Sequence, residues 1–151
     1  MEFNWSYSLE LYKELINLSE NQKDINTIES LARMIINRCY YSSFNLLSQH
    51  LKKEGIYEYD KKNPKKDSHS ELAEKLNDFK DSLDKGNKKK RYSRIIPLLY
   101  TLKKNRIRAD YNNIILPNPI IEANSCIYYA EKIFYYINAI ENNLVYNWKL
   151  E

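Results

Sequence analysis

Apolar residues recur every three or four positions in five separate segments of the chain, which is the spacing of one buried helix face. The alternating pattern of a half-buried strand is missing, and only two glycines and four prolines interrupt the 151 residues. We therefore predict an all-α fold: an up-and-down bundle of four main helices plus a short additional helix, with residues 1–151 forming one domain. The predicted helices are 6–19, 25–53, 68–80, 93–110 and 119–147.

Residues that begin or stop helices set most of these boundaries. Gly55 supplies a natural stop for the second helix. The third helix opens at Ser68 with Asp67 or Ser68 as its cap, and Glu71 follows Ser68 by three residues as in a capping box. Proline is tolerated near the first turn of a helix, so Pro97 places the predicted start of the fourth helix about one turn upstream. Residues 81–91 are then a polar connection.

The second and fifth helices carry the longest apolar faces. On the second helix the predicted face consists of Ile28, Leu31, Ile35, Tyr41 or Ser42, and Leu46. On the fifth helix the face runs as far as Leu144 and is widened by four tyrosines: Tyr128, Tyr129, Tyr135 and Tyr136. A face this broad predicts core packing together with a second contact surface, such as that of a dimer partner.

The net charge of the chain is compatible with nucleic-acid binding but does not require it. The chain has 24 Lys and Arg residues against 20 Asp and Glu residues, a net charge of +4. Two basic runs, 60–67 and 87–91, are candidates for contact with a phosphate backbone, with a solvated loop as the alternative for each.

The remaining composition points to a soluble cytoplasmic protein without a metal or cofactor. Cys39 and Cys126 each lie in an apolar stretch, which favours buried free thiols in a reducing compartment over a disulfide. No signal peptide is expected, and no apolar run approaches the ~20 residues that cross a bilayer. The two histidines, His50 and His69, belong to no cluster with metal-ligand spacing, so we expect no metal site.

The segment 102–113 has the most unusual side chains in the chain. Arg106, Arg108, Asp110 and Tyr111 fall within six residues at the end of the predicted fourth helix, just after Lys104. Cations complement the dipole at a helix C-terminus, but that effect does not explain the Asp and the Tyr. One interpretation is a salt-bridged helix end. The other is an anion site, because arginine forks bind phosphate while Asp and Tyr orient them or move protons.

Two further positions are candidates for the same chemistry. Arg38 stands among aromatic residues, beside Tyr41, in the middle of the predicted second helix. Its side chain either reaches water along an apolar stem, or has a carboxylate partner or an anion to bind. His69 lies in the first turn of the predicted third helix, where it is either a surface residue or a group that presents an imidazole to a substrate phosphate.

Three segments together resemble the HEPN (higher eukaryotes and prokaryotes nucleotide-binding) domain family. Residues 38–44 are similar to an Arg-x-Tyr-Tyr-x-x-Phe segment of a prokaryotic branch of that family. Residues 68–70 resemble its Ser-His-Ser segment, and residues 106–111 match its Arg-x-x-Ala-Asp-Tyr signature. The order and separation of the three segments also fit, and the similarity runs from about residue 6 to residue 144.

This resemblance implies a function and several partners. Many HEPN proteins are metal-independent endoribonucleases that act as toxins or in phage defence, with an Arg-x(4–6)-His motif from each protomer at a homodimer interface. A common partner is a small nucleotidyltransferase encoded beside them, which serves as the antitoxin. In this chain Tyr111 takes the place of the motif's histidine. The alternative is a non-catalytic HEPN module that binds RNA, a nucleotide or the nucleotidyltransferase.

The chemistry of RNA cleavage gives these residues candidate roles. A base must activate the 2′-hydroxyl, an acid must protonate the leaving 5′-oxygen, and positive charge must stabilise the phosphorane. Asp110 or His69 is the candidate base, and Tyr111 or His69 the candidate acid. Phosphate or nucleotide binding then falls to a set of basic and aromatic residues: Arg106, Arg38, Arg108, Lys104 and Tyr41.

Overall fold

The computed structural model of the protein describes residues 6–21, 24–57 and 68–144. These ranges contain five α-helices and no strand, which confirms the predicted all-α bundle. The basic run at 60–67 lies outside the described residues. The helices are α1 Ser6–Glu20, α2 Ile25–Lys53, α3 Ser68–Ser82, α4 Asn87–Tyr111 and α5 Pro119–Glu141.

Local chemistry explains the two ends of α2. The side chain of Asp24 accepts hydrogen bonds from the backbone N–H groups of the second and third helical residues, at 3.2 and 3.1 Å. Beyond the other end, Gly55 has a φ of 70° and donates its N–H to the carbonyl of Lys52 at 3.0 Å. Glycine adopts this left-handed conformation without a Cβ penalty. The predicted range 25–53 is therefore confirmed.

The predicted start of α4 was wrong, because the helix begins at Asn87 and Pro97 lies in its interior. A proline there removes one backbone donor and crowds the preceding turn. Pro97 is on the exposed side of the helix, where water can reach the carbonyl left without a partner. The basic run at 87–91 is consequently helical rather than a loop. Its last residue, Arg91, is 2% exposed and donates to the carbonyl of Ala139 at 3.1 Å.

The fifth helix is shorter than predicted. It ends at Glu141, and the chain turns at Asn143, which has a φ of 49°. Leu144 then donates its N–H to the carbonyl of Ala139 at 3.0 Å, and its side chain is exposed rather than part of the buried face. Residues 145–147, predicted as the helix end, lie outside the described residues.

The helices pack around a centre formed by α2 and α5. α4 packs on both of them, α1 covers them from another side, and α3 packs mainly on α4. The buried face of α2 differs from the predicted one, because Ile28, Leu31 and Leu46 are only half-buried. The buried hydrophobic residues of α2 are Ala32, Ile35, Ile36, Cys39, Tyr40, Leu47 and Leu51.

The four tyrosines of the predicted broad face of α5 differ in their burial. Tyr136 is buried, Tyr129 and Tyr135 are half-buried against the core, and Tyr128 is exposed. Most of the tyrosine stripe is therefore used in packing within the chain.

A buried polar contact joins three helices and was missed by the apolar pattern. His50 of α2 is 1% exposed. Its Nε2 lies 2.7 Å from the hydroxyl of Tyr92 on α4, and its Nδ1 lies 3.1 Å from Oε1 of Glu141 at the end of α5. Both ring nitrogens are thereby satisfied, as a buried imidazole requires.

The cysteines are buried and free, as predicted. Burial raises the pKa of Cys39 well above its ordinary value and raises the pKa of Cys126 to about 11. No helix in the described part of the chain is long and apolar enough to span a bilayer.

Candidate functional site

The end of α4 meets the middle of α2 around the half-buried side chain of Arg106. Its Nη2 donates to the hydroxyl of Tyr41 at 2.8 Å. Its Cζ lies 5.3 Å from the ring centroid of Tyr41 and 5.4 Å from that of Tyr111. These are cation–π distances, so two aromatic rings hold the guanidinium in one position.

A carboxylate also lies beside the guanidinium of Arg106. Oδ2 of Asp110 lies 2.7 Å from Nε of Arg106, an ion pair in which the N–H is not aligned as a hydrogen bond. The amide nitrogen of Asn37 donates to both oxygens of Asp110, at 2.9 and 3.0 Å. Asp110 therefore links α4 to α2 while it faces Arg106.

The charge of Arg106 is favoured by these neighbours. Burial lowers the pKa of its guanidinium, but Tyr41, Asp110 and Tyr111 together raise the pKa by more, so the net shift is upward. The group stays cationic wherever the protein is folded, which suits it to an anion.

His69 of α3 lies on the same surface. Its Nδ1 is 2.7 Å from the hydroxyl of Tyr40, and its ring centroid is 4.3 Å from that of Phe44. It is also 5.8 Å from the ring centroid of Tyr41, edge to face. The donor of this hydrogen bond depends on the tautomer of His69. When Nδ1–H donates to Tyr40, Nε2 is the unprotonated nitrogen of the neutral ring, and when Tyr40 donates to Nδ1, the proton of the ring is on Nε2. Tyr41 thus contacts both the imidazole of His69 and the guanidinium of Arg106.

The remaining predicted residues lie apart from this group. Arg108 pairs with Glu122 in the first turn of α5. Lys104 is on the exposed side of α4. Arg38 is exposed, and the described residues provide it with no carboxylate partner. The structure therefore places five of the predicted site residues in one group: Arg106, Asp110, Tyr111, His69 and Tyr41.

Arg38 borders a groove between α1 and α2. The groove has a volume of about 640 Å³, within the range of small-molecule sites, and its apolar wall includes Leu11, Leu15 and Met34. Tyr41 lies at one side of the groove, so the groove and Arg106 are separated by a single side chain.

Arg33 fixes the end of α4 and was not identified from the sequence. Its Nη1 donates to the carbonyls of Ala109 and Asn112 at 2.6 and 2.8 Å, and its Nη2 donates to that of Ile114 at 2.8 Å. Its Nε pairs with Glu29 one turn earlier at 2.7 Å. The only sequence signal was this i, i+4 pair, which is common on solvated helix faces.

No group of three or more His, Cys, Asp or Glu side chains within the described ranges is arranged to hold a metal ion. Comparison of the chain with protein-family models, curated proteins and solved structures found no match.

Proposed function

We propose that the protein is a metal-independent endoribonuclease of the HEPN type that acts as a homodimer. One observation carries this proposal: Tyr41 contacts both Arg106 and His69, so a fixed cation and an imidazole share one surface. Those are two of the groups that metal-independent RNA cleavage needs.

In the proposed reaction, Arg106 binds the scissile phosphate and stabilises the phosphorane. In the tautomer whose Nδ1–H donates to Tyr40, Nε2 of His69 takes the proton of the 2′-hydroxyl, and the 2′-oxygen attacks phosphorus. The bond from phosphorus to the 5′-oxygen breaks, and that oxygen leaves with a proton. The products are a 2′,3′-cyclic phosphate and a 5′-hydroxyl.

The acid of this reaction comes from Tyr111 or from a second copy of His69. Tyr111 is 71% exposed and stacks on Arg106, so its hydroxyl has access to a bound phosphate ester. Asp110 has a positioning role in this scheme, because both of its oxygens accept from Asn37 and one of them faces Arg106. Arg38 holds a neighbouring phosphate across the groove.

Exposed apolar side chains support the dimer. Five of them lie between the last turns of α4 and the start of α5, close in sequence to Arg106 and Asp110: Ile107, Tyr111, Ile114, Ile115 and Ile121. Large apolar side chains grouped at one end of a protein favour an interface. Loss of a dimer in Ile114→Asp, measured by sedimentation, would support this assignment, and an unchanged mass would remove it.

The toxin or phage-defence role and a nucleotidyltransferase antitoxin belong to the proposal through the HEPN resemblance alone. The toxin role is tested by expression of the chain in cells. Growth arrest that Arg106→Ala abolishes supports a toxin, whereas equal growth of both strains contradicts it.

Cleavage of end-labelled RNA in excess EDTA tests the nuclease. We expect wild type to cut, Arg106→Ala to lose about 10²–10³-fold in kcat, and His69→Ala about 10²–10⁴-fold. Lys13→Gln, which removes a cation from α1, is the matched control and should cut normally. Absence of cleavage by wild type, with RNA binding that still depends on Arg106, would favour the second candidate. That candidate is a non-catalytic module that binds RNA or a nucleotide. It is supported by the contacts of Tyr41, Asp110 and Tyr111 with Arg106, which hold the guanidinium in a position to bind an anion.

A further inference from the structure

Positive charge is concentrated on α4 far more than the composition indicates. This helix contains nine Lys or Arg residues and one acidic residue, Asp110, which gives it a net charge of +8. The whole chain has a net charge of +4, so all other residues together have a net charge of −4. α4 is therefore the basic element of a protein that is otherwise acidic.

Part of this charge faces solvent in a row. At 100° per residue, Lys90, Arg94 and Lys104 fall on the side of α4 opposite its buried apolar residues, and all three are exposed. Lys90 and Lys104 are separated by about 21 Å at a rise of 1.5 Å per residue. No acidic residue of α4 precedes Asp110, so the row is not interrupted from within the helix.

Aromatic rings lie along the same side of the helix. Tyr100 is 53% exposed and stands between Arg94 and Lys104, and Tyr111 is 71% exposed at the end of the helix. An exposed tyrosine in a basic row offers a flat surface to an unpaired base. Cations spaced among such rings are typical of surfaces that bind single-stranded nucleic acid.

A cleft opens at the upstream end of the row. It has a volume of about 480 Å³ and is lined by Lys89, Lys90, Ser93 and Arg94 of α4 and by Lys85 and Gly86, which precede the helix. Lys89 donates to the carbonyls of Asp81 and Leu83, at 3.4 and 2.8 Å, and so ties the end of α3 and the residue after it to α4. The basic row therefore begins in a shallow, open cleft.

We propose that this outer side of α4, from the cleft through Tyr100 to Tyr111, is a binding track for single-stranded RNA. The choice of RNA as the ligand rests on the proposed function. The new part of this proposal is that the RNA bound along α4 is single-stranded. The cations of the track bind successive phosphates. Tyr100 stacks on an unpaired base, which in a duplex would be paired and stacked within the helix. Tyr111 then delivers the strand to Arg106.

Binding is measured apart from cleavage with a fluorescent single-stranded 2′-O-methyl RNA, whose capped 2′-oxygen cannot attack phosphorus. Fluorescence anisotropy is recorded over a series of salt concentrations. Arg94→Gln and Lys104→Gln should each weaken binding and each reduce the slope of log K against log salt by about 0.7. Lys13→Gln removes the same charge from α1, which does not contact α4, and should leave the slope unchanged.

The aromatic part of the track has its own pair of variants. Tyr100→Ala should weaken binding of the single strand about fivefold or more, whereas Tyr100→Phe keeps the ring and should bind like wild type. A duplex of the same sequence should bind less tightly and should not respond to Tyr100→Ala.

The outcomes separate the track from the nuclease. Weaker binding by the track variants supports the track even when wild type cuts no RNA, in which case only the nuclease proposal fails. Equal binding by wild type, Arg94→Gln and Lys104→Gln overturns the track even when wild type cuts RNA. A duplex that binds as tightly as the single strand, with no effect of Tyr100→Ala, overturns the assignment to unpaired RNA.

Discussion

The hydroxyl of Tyr41 accepts a hydrogen bond from Nη2 of Arg106 at 2.8 Å, across the packed surfaces of α2 and α4. The same tyrosine ring lies 5.3 Å from Cζ of Arg106. Tyr41 therefore orients the guanidinium in two ways, through its hydroxyl and through its ring, and the two can be separated by mutation.

Tyr41→Phe should keep the ring contact and lose only the hydrogen bond. We expect the free energy of unfolding to fall by about 1 kcal/mol, as for an ordinary hydrogen bond of a half-buried group. RNA affinity should fall only a few-fold, because the cation–π contact remains. Tyr41→Ala should lower affinity further. Urea unfolding and anisotropy measure both effects, and equal affinities of the Phe and Ala variants would show that the ring does not orient Arg106.

Asp110→Asn distinguishes a positioning residue from a catalytic base. The amide keeps an oxygen that accepts from Asn37 but loses the ion pair with Arg106. We expect cleavage to fall about tenfold with an unchanged pH profile, because loss of a general base costs about 10²–10⁴-fold. The pH dependence of kcat is the measurement. A loss of a thousandfold, together with disappearance of one limb of the profile, would assign the base to Asp110 instead of His69.

The fold was predictable wherever local signals agreed with each other. The apolar spacing and the glycine stop together gave the full range of α2. The prediction for α4 failed because the sequence cannot show that Pro97 faces solvent, where a missing backbone hydrogen bond is tolerated. Leu144 continued the apolar spacing of α5, but the chain had already turned back on itself through a hydrogen bond to Ala139.

The site was predictable only within one helix. Arg106, Asp110 and Tyr111 lie within six residues, so their proximity follows from helix geometry. The contacts of Tyr41 and Asn37 with that group span more than 60 residues of sequence and depend on how α2 packs on α4. His69 joins the group through α3, and only the assembled bundle brings it to Tyr41.

The two cysteines should be unreactive in the folded protein. Both are fully buried, and burial raises the pKa of Cys126 to about 11 and that of Cys39 well above its ordinary value, so little thiolate forms. A thiol reagent at pH 8 should label both residues only in denaturant. Ser93→Cys, at an exposed position, is the positive control, and labelling of the native wild type as fast as this variant would contradict the buried packing.

Tyr92 should make the fold sensitive to alkaline pH. Burial, followed by the charges of Glu54 and Glu141, raises the pKa of Tyr92 above its ordinary value of about 10. Stability from this group is fully present below pH ~10 and is lost above it, because the unfolded chain then releases a proton that the folded chain retains. The free energy of unfolding should fall by up to about 1.4 kcal/mol per pH unit from this group.

Tyr92→Phe removes that dependence but leaves Nε2 of His50 without its partner. We expect it to cost about 1–3 kcal/mol at pH 7 and to reduce the slope of stability against pH above 10. Urea unfolding at pH 7 and at several values above 10 measures both effects. Tyr100→Phe, at an exposed tyrosine, is the control. Parallel pH curves for Tyr92→Phe and wild type would exclude Tyr92 as the titrating group.

Arg33→Lys tests whether the turn after α4 depends on one guanidinium. Lysine keeps the charge, but it cannot reach the carbonyls of Ala109, Asn112 and Ile114 with the planar fork that arginine provides. We expect a loss of about 2 kcal/mol, or about 4–8 °C in Tm, because hydrogen bonds from a charged group are lost. Cleavage should also fall, since Asp110 and Tyr111 sit on the segment that Arg33 holds. Arg94→Lys makes the same change at an exposed position and should leave Tm within about 1 °C of wild type. Equal Tm values for the two variants would mean that the turn holds its conformation without Arg33, and the position of Tyr111 would then be set by its stacking on Arg106.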